Sequence, residues 1–183
     1  PLPGVALLLA MGGVQAQAEP AAPENVITVV NGEVALAANG RCSLMEAIIN
    51  ARTTRSGQLQ ADCAAGNLSA PDTVQLPANG LFTLTAAHNA QFGPTGLPVI
   101  TTSMTIEGNG ATIRRSATSG TPDFRHLVVD PGVSLTLRNL TLTNGYSYSY
   151  HGGAILNKGQ LQITGSTFSG NTVVDENVAY GGA

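Results

Sequence analysis

The densest polar cluster in the chain is Asp123-Phe124-Arg125-His126. A carboxylate, a guanidinium and an imidazole this close together are the groups that general acid–base work requires. The competing reading, which the sequence favours, is a loop leading into Leu127-Val128-Val129, with Arg125 paired to Asp123 or solvated. His88 stands alone in a polar loop and is expected to be exposed. Asp175-Glu176 reads as a solvated turn, with a weak calcium contact as the alternative. The remaining acidic residues are scattered, and no zinc-protease, serine-elbow, phosphate-loop or dinucleotide motif occurs. The expectation is therefore no catalytic residue, no metal site and no cofactor.

Two further sets of side chains carry chemistry. Cys42 and Cys63 are the only cysteines. In an exported chain two cysteines most simply form one disulfide, worth roughly 3 kcal/mol by loop closure. A metal site or a catalytic thiol would need a histidine nearby. Tyr146, Tyr148 and Tyr150 alternate with serines, which puts the three rings on one face of an extended segment. Aromatic stripes bind sugar rings and protein partners. The alternative is a loop between coils, or rings packed on the surface.

These residues must be positioned by a repeat. Laying Gln160–Asn171 over Ser134–Gly145 puts Leu135 on Leu161, Leu137 on Ile163, Thr141 on Thr167 and Leu142 on Phe168, an offset of 26 residues. Gly152-Gly153-Ala154 returns as Gly181-Gly182-Ala183, an offset of 29. Spacings in this range signal a stacked architecture. Within each copy apolar residues alternate with polar ones, the period of a strand. One such strand cannot bury its face alone, but stacked coils can. Asn-Gly and Gly-Gly pairs break the strands, and no long helical segment separates them. The preferred fold is all-β, a parallel β-helix. A β-sandwich with hairpins at Asn109-Gly110 and Asn144-Gly145 is the competitor.

Other strand segments are Val26 to Val30, Asp72 to Pro77 and Gly80 to Thr85, with Met104, Ile106 and Ile113 as core residues. Ser43 and Glu46 form a capping box, and Leu44, Ala47, Ile48 and Ala51 fall on one helical face. This predicts a short amphipathic helix from Leu44 to about Arg52, which closes the open end of the first coil and is tied by Cys42–Cys63 to the loop at 58–67. Residues 1–18 contain an apolar run followed by Gln15-Ala16-Gln17-Ala18, the pattern of a truncated signal peptide. The run is too short to span a bilayer. Residues 19–25 form a linker, 26–71 a cap region and 72–183 the coils, with the chain expected to be a piece of a longer exported protein. Among 183 residues the formal net charge is −3 and charged residues make up 10%, which excludes a basic nucleic-acid footprint.

Two stretches resemble known families. Cys42-Ser43-Leu44-Met45-Glu46-Ala47-Ile48 resembles the CSLREA-type N-terminal motif of exported β-helix proteins, with Met45 where arginine is usual. The segments at 72–77, 97–100 and 105–110 resemble that family's continuation. Gly152-Gly153-Ala154-Ile155 and Phe168-Ser169-Gly170-Asn171 resemble the repeat of polymorphic outer-membrane proteins, a further copy starting at Gly181-Gly182-Ala183. The resemblance implies a right-handed, single-stranded parallel β-helix of the pectin-lyase-like kind on a bacterial surface or secreted, as in adhesins and autotransporter passengers. It implies a cell-surface glycan or protein receptor as partner and no transmembrane span in this stretch. Polysaccharide lyases and hydrolases share the fold. His151 invites comparison with the pectin hydrolases, but their paired-aspartate motifs are absent. An enzyme with catalytic coils beyond Ala183, or a passive stalk, are the alternatives. In the repeat, the glycine pair serves a coil corner, Phe168 fills the core, and Asn171 stacks on its counterpart in the next coil.

Overall fold

The computed structural model describes residues 25–52, 59–67, 69–148 and 150–174. The expected signal peptide, most of the linker, and Asp175, Glu176, Gly181, Gly182 and Ala183 lie outside the described residues.

The strands are β1 (Val26–Thr28), β2 (Asp72–Gln75), β3 (Leu81–Leu84), β4 (Met104–Arg115), β5 (Leu127–Val129), β6 (Ser134–Thr143), β7 (Tyr146–Tyr148), β8 (Ile155–Asn157), β9 (Gln160–Thr164), β10 (Thr167–Ser169) and β11 (Thr172–Val174). One helix, α1 (Leu44–Arg52), follows β1. Every pairing between these strands is parallel. The chain is a parallel β-helix of about four turns.

The four residue pairs expected from the offset of 26 are true Cα partners in the β6–β9 and β6–β10 ladders. The earlier coils are longer: Asp72 pairs with Met104 and Met104 with Leu135, rises of 32 and 31 residues. Alternation then builds columns. Ile27, Val74, Ile106, Leu137 and Ile163 lie one above another on one face, and Phe82, Ile113, Leu142 and Phe168 on the next. The first four of one column and the first three of the other are fully buried. Burying each such side chain contributes about 1.5–3 kcal/mol.

The sandwich is excluded. Asn109-Gly110 and Asn144-Gly145 turn the chain through coil corners instead of reversing it. Asn79, Asn109, Asn139 and Asn144 all have φ between 51° and 62°, a region that asparagine tolerates better than most residues. Gly165 stacks on Asn139, and a Cβ there would lie 2.5 Å from Asn139 Oδ1. β4 carries two more residues than β6 at this corner, so the register shifts between Glu107 and Ala111.

The first rung lies ahead of the helix, since β1 already pairs with β2. α1 then packs on β1 and β2 and caps the solenoid. Ser43 and Glu46 close its first turn reciprocally: Ser43 N donates to Glu46 Oε2 (2.9 Å) and Glu46 N to Ser43 Oγ (3.3 Å). Burial extends from Leu44 to Ala51 on all sides, not on one face alone. The segments before and after the helix cover its outer side. Leu44 N and Met45 N donate to Glu33 O and Val34 O. Asn50 Nδ2 donates to Gln60 O (3.0 Å) and Ala64 O (3.0 Å), and its Oδ1 accepts from Gln60 N (2.7 Å). The Cys42–Cys63 disulfide closes the same loop.

Candidate functional site

The tyrosines sit on the flank formed by β7 and the turn after it. Ser147 points inward and is buried, which turns Tyr146 and Tyr148 outward. Tyr148 is 46% exposed and Tyr150 47%. The three rings do not form one stripe. Tyr146 is half-buried beneath β11 and lies over Arg115, whose guanidinium carbon is 5.8 Å from the ring centre. Tyr150 leaves the strand and drops onto the 89–95 loop, where its ring presses on Gly93; a Cβ on Gly93 would stand 2.6 Å from Tyr150 Cγ.

Arg125 organises this flank, and it is neither solvated nor paired with Asp123. Asp123 instead binds Arg115 (3.1 Å) at the surface. Arg125 is fully buried because the 89–95 loop and the segments at Ser147 and Gly152 cover its outer side. Its Nη1 donates to Phe92 O (2.6 Å), its Nε to Gly152 O (3.2 Å) and its Nη2 to Ser147 Oγ (3.3 Å). Ser147 Oγ in turn donates a hydrogen bond to Tyr150 O (2.6 Å). One guanidinium thus joins three coils, using the planar fork that distinguishes arginine from lysine. Burial pushes its pKa down, while Tyr150 acts the other way. The Arg125 guanidinium lies 6.0 Å from the Tyr150 ring centre.

Beside Tyr150 a pocket of about 430 Å³ opens, lined by Gln91, Phe92, Gly93, Tyr150, His151 and Leu156 among others. Lys158 Nζ stands 4.1 Å from the Phe92 ring centre, a close cation–π contact. Neither Phe92 nor Lys158 stands out in the sequence. They are 66 residues apart and meet only because the loop of one coil laps over the side of a later one.

His126 is fully buried, with Nε2 donating to Thr143 O (3.1 Å) and Nδ1 without a partner. Desolvation is the main cause that lowers its pKa to about 4; the Arg115 charge adds to this and the Thr143 carbonyl opposes it. It is a neutral core imidazole, far from a general base poised near neutral pH. His88, expected to be exposed, is half-buried near a cleft of about 530 Å³ beside residues 32–36. Burial, and then the charge of Arg52, hold it below its ordinary value. No group of three or more metal-ligating side chains occurs among the described residues. No described helix is long and apolar enough to cross a membrane.

The repeat motif is also placed. Gly152 has a φ of 74°, and a Cβ there would strike the Ile155 carbonyl. Gly153 lets the backbone of the next coil approach, since its Cβ would meet Thr172 O at 2.7 Å. Ala154 is buried and its carbonyl receives His126 N (2.9 Å), while Ile155 opens β8 half-buried. Phe168 packs on the core from the last described coil. The next coil, where the expected counterpart of Asn171 would stand, lies outside the described residues. Asn171 Nδ2 donates to Leu142 O (3.0 Å) and its Oδ1 accepts from Gly145 N (2.9 Å), clamping the backbone corner of the coil below. The position beneath it is occupied by Gly145.

No family model matches this chain, and no curated protein or solved structure matches it either.

Proposed function

We propose that this protein is a non-catalytic β-helix module of a secreted or surface-exposed bacterial protein, of the adhesin or autotransporter-passenger type. It holds a cell-surface glycan or protein receptor on the flank that carries Tyr146, Tyr148 and Tyr150. The observation that supports this reading most is the exposure of Tyr148 and Tyr150, 46% and 47%, on a flank that Arg125 braces from beneath. Ordered aromatic rings at a surface cost little conformational entropy on binding and offer both an apolar face and a polar tip. The resemblance to exported β-helix proteins and the signal-peptide pattern of residues 1–18 support export.

The test is a glycan-array and cell-binding screen of the full 183-residue chain against Tyr146→Ser/Tyr148→Ser/Tyr150→Ser, with product release from bound polysaccharide followed in parallel. Binding that the triple change reduces at least tenfold, without product release, is the expected result. Product release would replace this reading with a polysaccharide-acting enzyme. Absence of both signals would leave a passive stalk.

A further inference from the structure

Two aromatic rings, Phe92 and Tyr150, line the pocket, and each has a cation against it. Phe92 comes from the loop after β3 and Tyr150 from the segment before β8, while Lys158, just past β8, reaches the Phe92 ring. Arg125 lies under the Tyr150 ring. Its acceptors are two carbonyls and a hydroxyl, all neutral, and no ion pair of Arg125 is present among the described residues. A buried cation without a carboxylate keeps its field uncancelled, and a low-dielectric wall focuses that field on the adjoining pocket. Lys158 also has no ion pair among the described residues. Its neighbour on the coil beneath is Asp130, one step beyond the Val129–Asn157 pair, yet the two form no ion pair. The exposed Lys158 ammonium rests on the Phe92 ring instead. A volume of about 430 Å³ lies within the range of small-ligand pockets, roughly 300–1,000 Å³.

We infer that the glycan taken by this flank is anionic: a sugar ring stacks on Phe92 and Tyr150 while its carboxylate or sulfate meets the Lys158 ammonium. This deepens the proposed function and rests on it. Arg125 does not touch the ligand, because it is fully buried. It contributes field and holds the Phe92 loop in place. Lys158 exchanges a cation–π contact for a charge-assisted hydrogen bond, which is the stronger of the two.

The experiment is calorimetric titration of the full chain with hyaluronan oligosaccharide, whose acid is a carboxylate, and with keratan sulfate oligosaccharide, whose acid is a sulfate. Each is paired with its carboxyl-reduced or desulfated counterpart. The expected result is that at least one acid binds, that removing its charge weakens binding tenfold or more, and that affinity falls as sodium chloride rises. Lys158→Met should lose binding by a similar factor and Lys158→Arg should retain most of it. Phe92→Leu should weaken both forms of the oligosaccharide alike. Neutral counterparts binding as tightly as the acids would overturn the anionic preference and leave glycan binding standing. Cells held through the tyrosines, with no acid bound, would also overturn the inference while sparing the adhesive reading. Loss of every signal would sink both.

Discussion

His126 shows how much a single buried group can decide. Its Nε2–H is committed to Thr143 O, and its Nδ1 faces Gly145, whose added Cβ would lie 2.7 Å away. A proton on Nδ1 would have no acceptor. The pKa is about 4 against an ordinary 6.5. Between those values the unfolded chain binds a proton that the folded chain refuses. The stability contribution is complete above pH 6.5 and is lost as pH falls toward 4, by roughly 3 kcal/mol in all. Asp72 works in the opposite sense. Burial raises its pKa against hydrogen bonds from Asn67 and Asn25, so its cost is present at high pH and relieved on acidification. Comparing the native chain with His126→Gln removes the Asp72 contribution. Urea unfolding from pH 7 to 4 should show a steep fall for the native chain and a much shallower one for the variant. Equal slopes would mean that His126 is not held neutral.

At the scale of elements, the cap and the coil corners do different work. α1 closes the end of the solenoid and is held by its capping box, by Asn50 and by one disulfide. Changing both Cys42 and Cys63 to serine should cost about 3 kcal/mol, lowering the urea midpoint while raising the slope slightly, because the unfolded chain without its cross-link is more expanded. An unchanged midpoint would show that the Asn50 hydrogen bonds suffice to close the loop. The corners depend on backbone geometry. Gly152 supplies a positive φ, and the absence of a side chain at Gly153 lets β11 lie close. Asn171 then ties the corner by satisfying Gly145 N and Leu142 O, two groups that would otherwise be costly to bury.

Across the whole molecule, burial falls off along the stack. Leu137 is fully buried, while Ile163, its partner in the last described coil, is 45% exposed. Coils contact only their neighbours, and among the described residues the last coil is packed from one side. Among the described residues no strand pairs with the outer edges of β9 and β10, and unpaired edges are a template for further strands. Ile163→Lys should therefore reduce concentration-dependent self-association in sedimentation velocity, with a change in unfolding free energy below about 1 kcal/mol, since an exposed position loses little burial. Association that is indifferent to the substitution would place the contact elsewhere.

The sequence alone determined the architecture, and the reason is locality. Period-two alternation fixes which residues face inward, and the offset of 26 fixes which of them stack, so Leu135 on Leu161 and Leu142 on Phe168 could be read directly. The helix from Leu44 to Arg52 and its Ser43–Glu46 cap are set by residues three and four apart. The longer rises of the early coils were obscured by the segments at 86–96 and 116–123 and by the extra residues at the Asn109 corner. Only the tertiary structure decided what surrounds the tyrosines. Phe92, Arg125, Tyr150 and Lys158 lie on three coils and follow no shared period. Their meeting depends on where one loop folds back over the solenoid. That path is set by a buried guanidinium bonded to backbone carbonyls, and backbone carbonyls have no signature in the order of side chains.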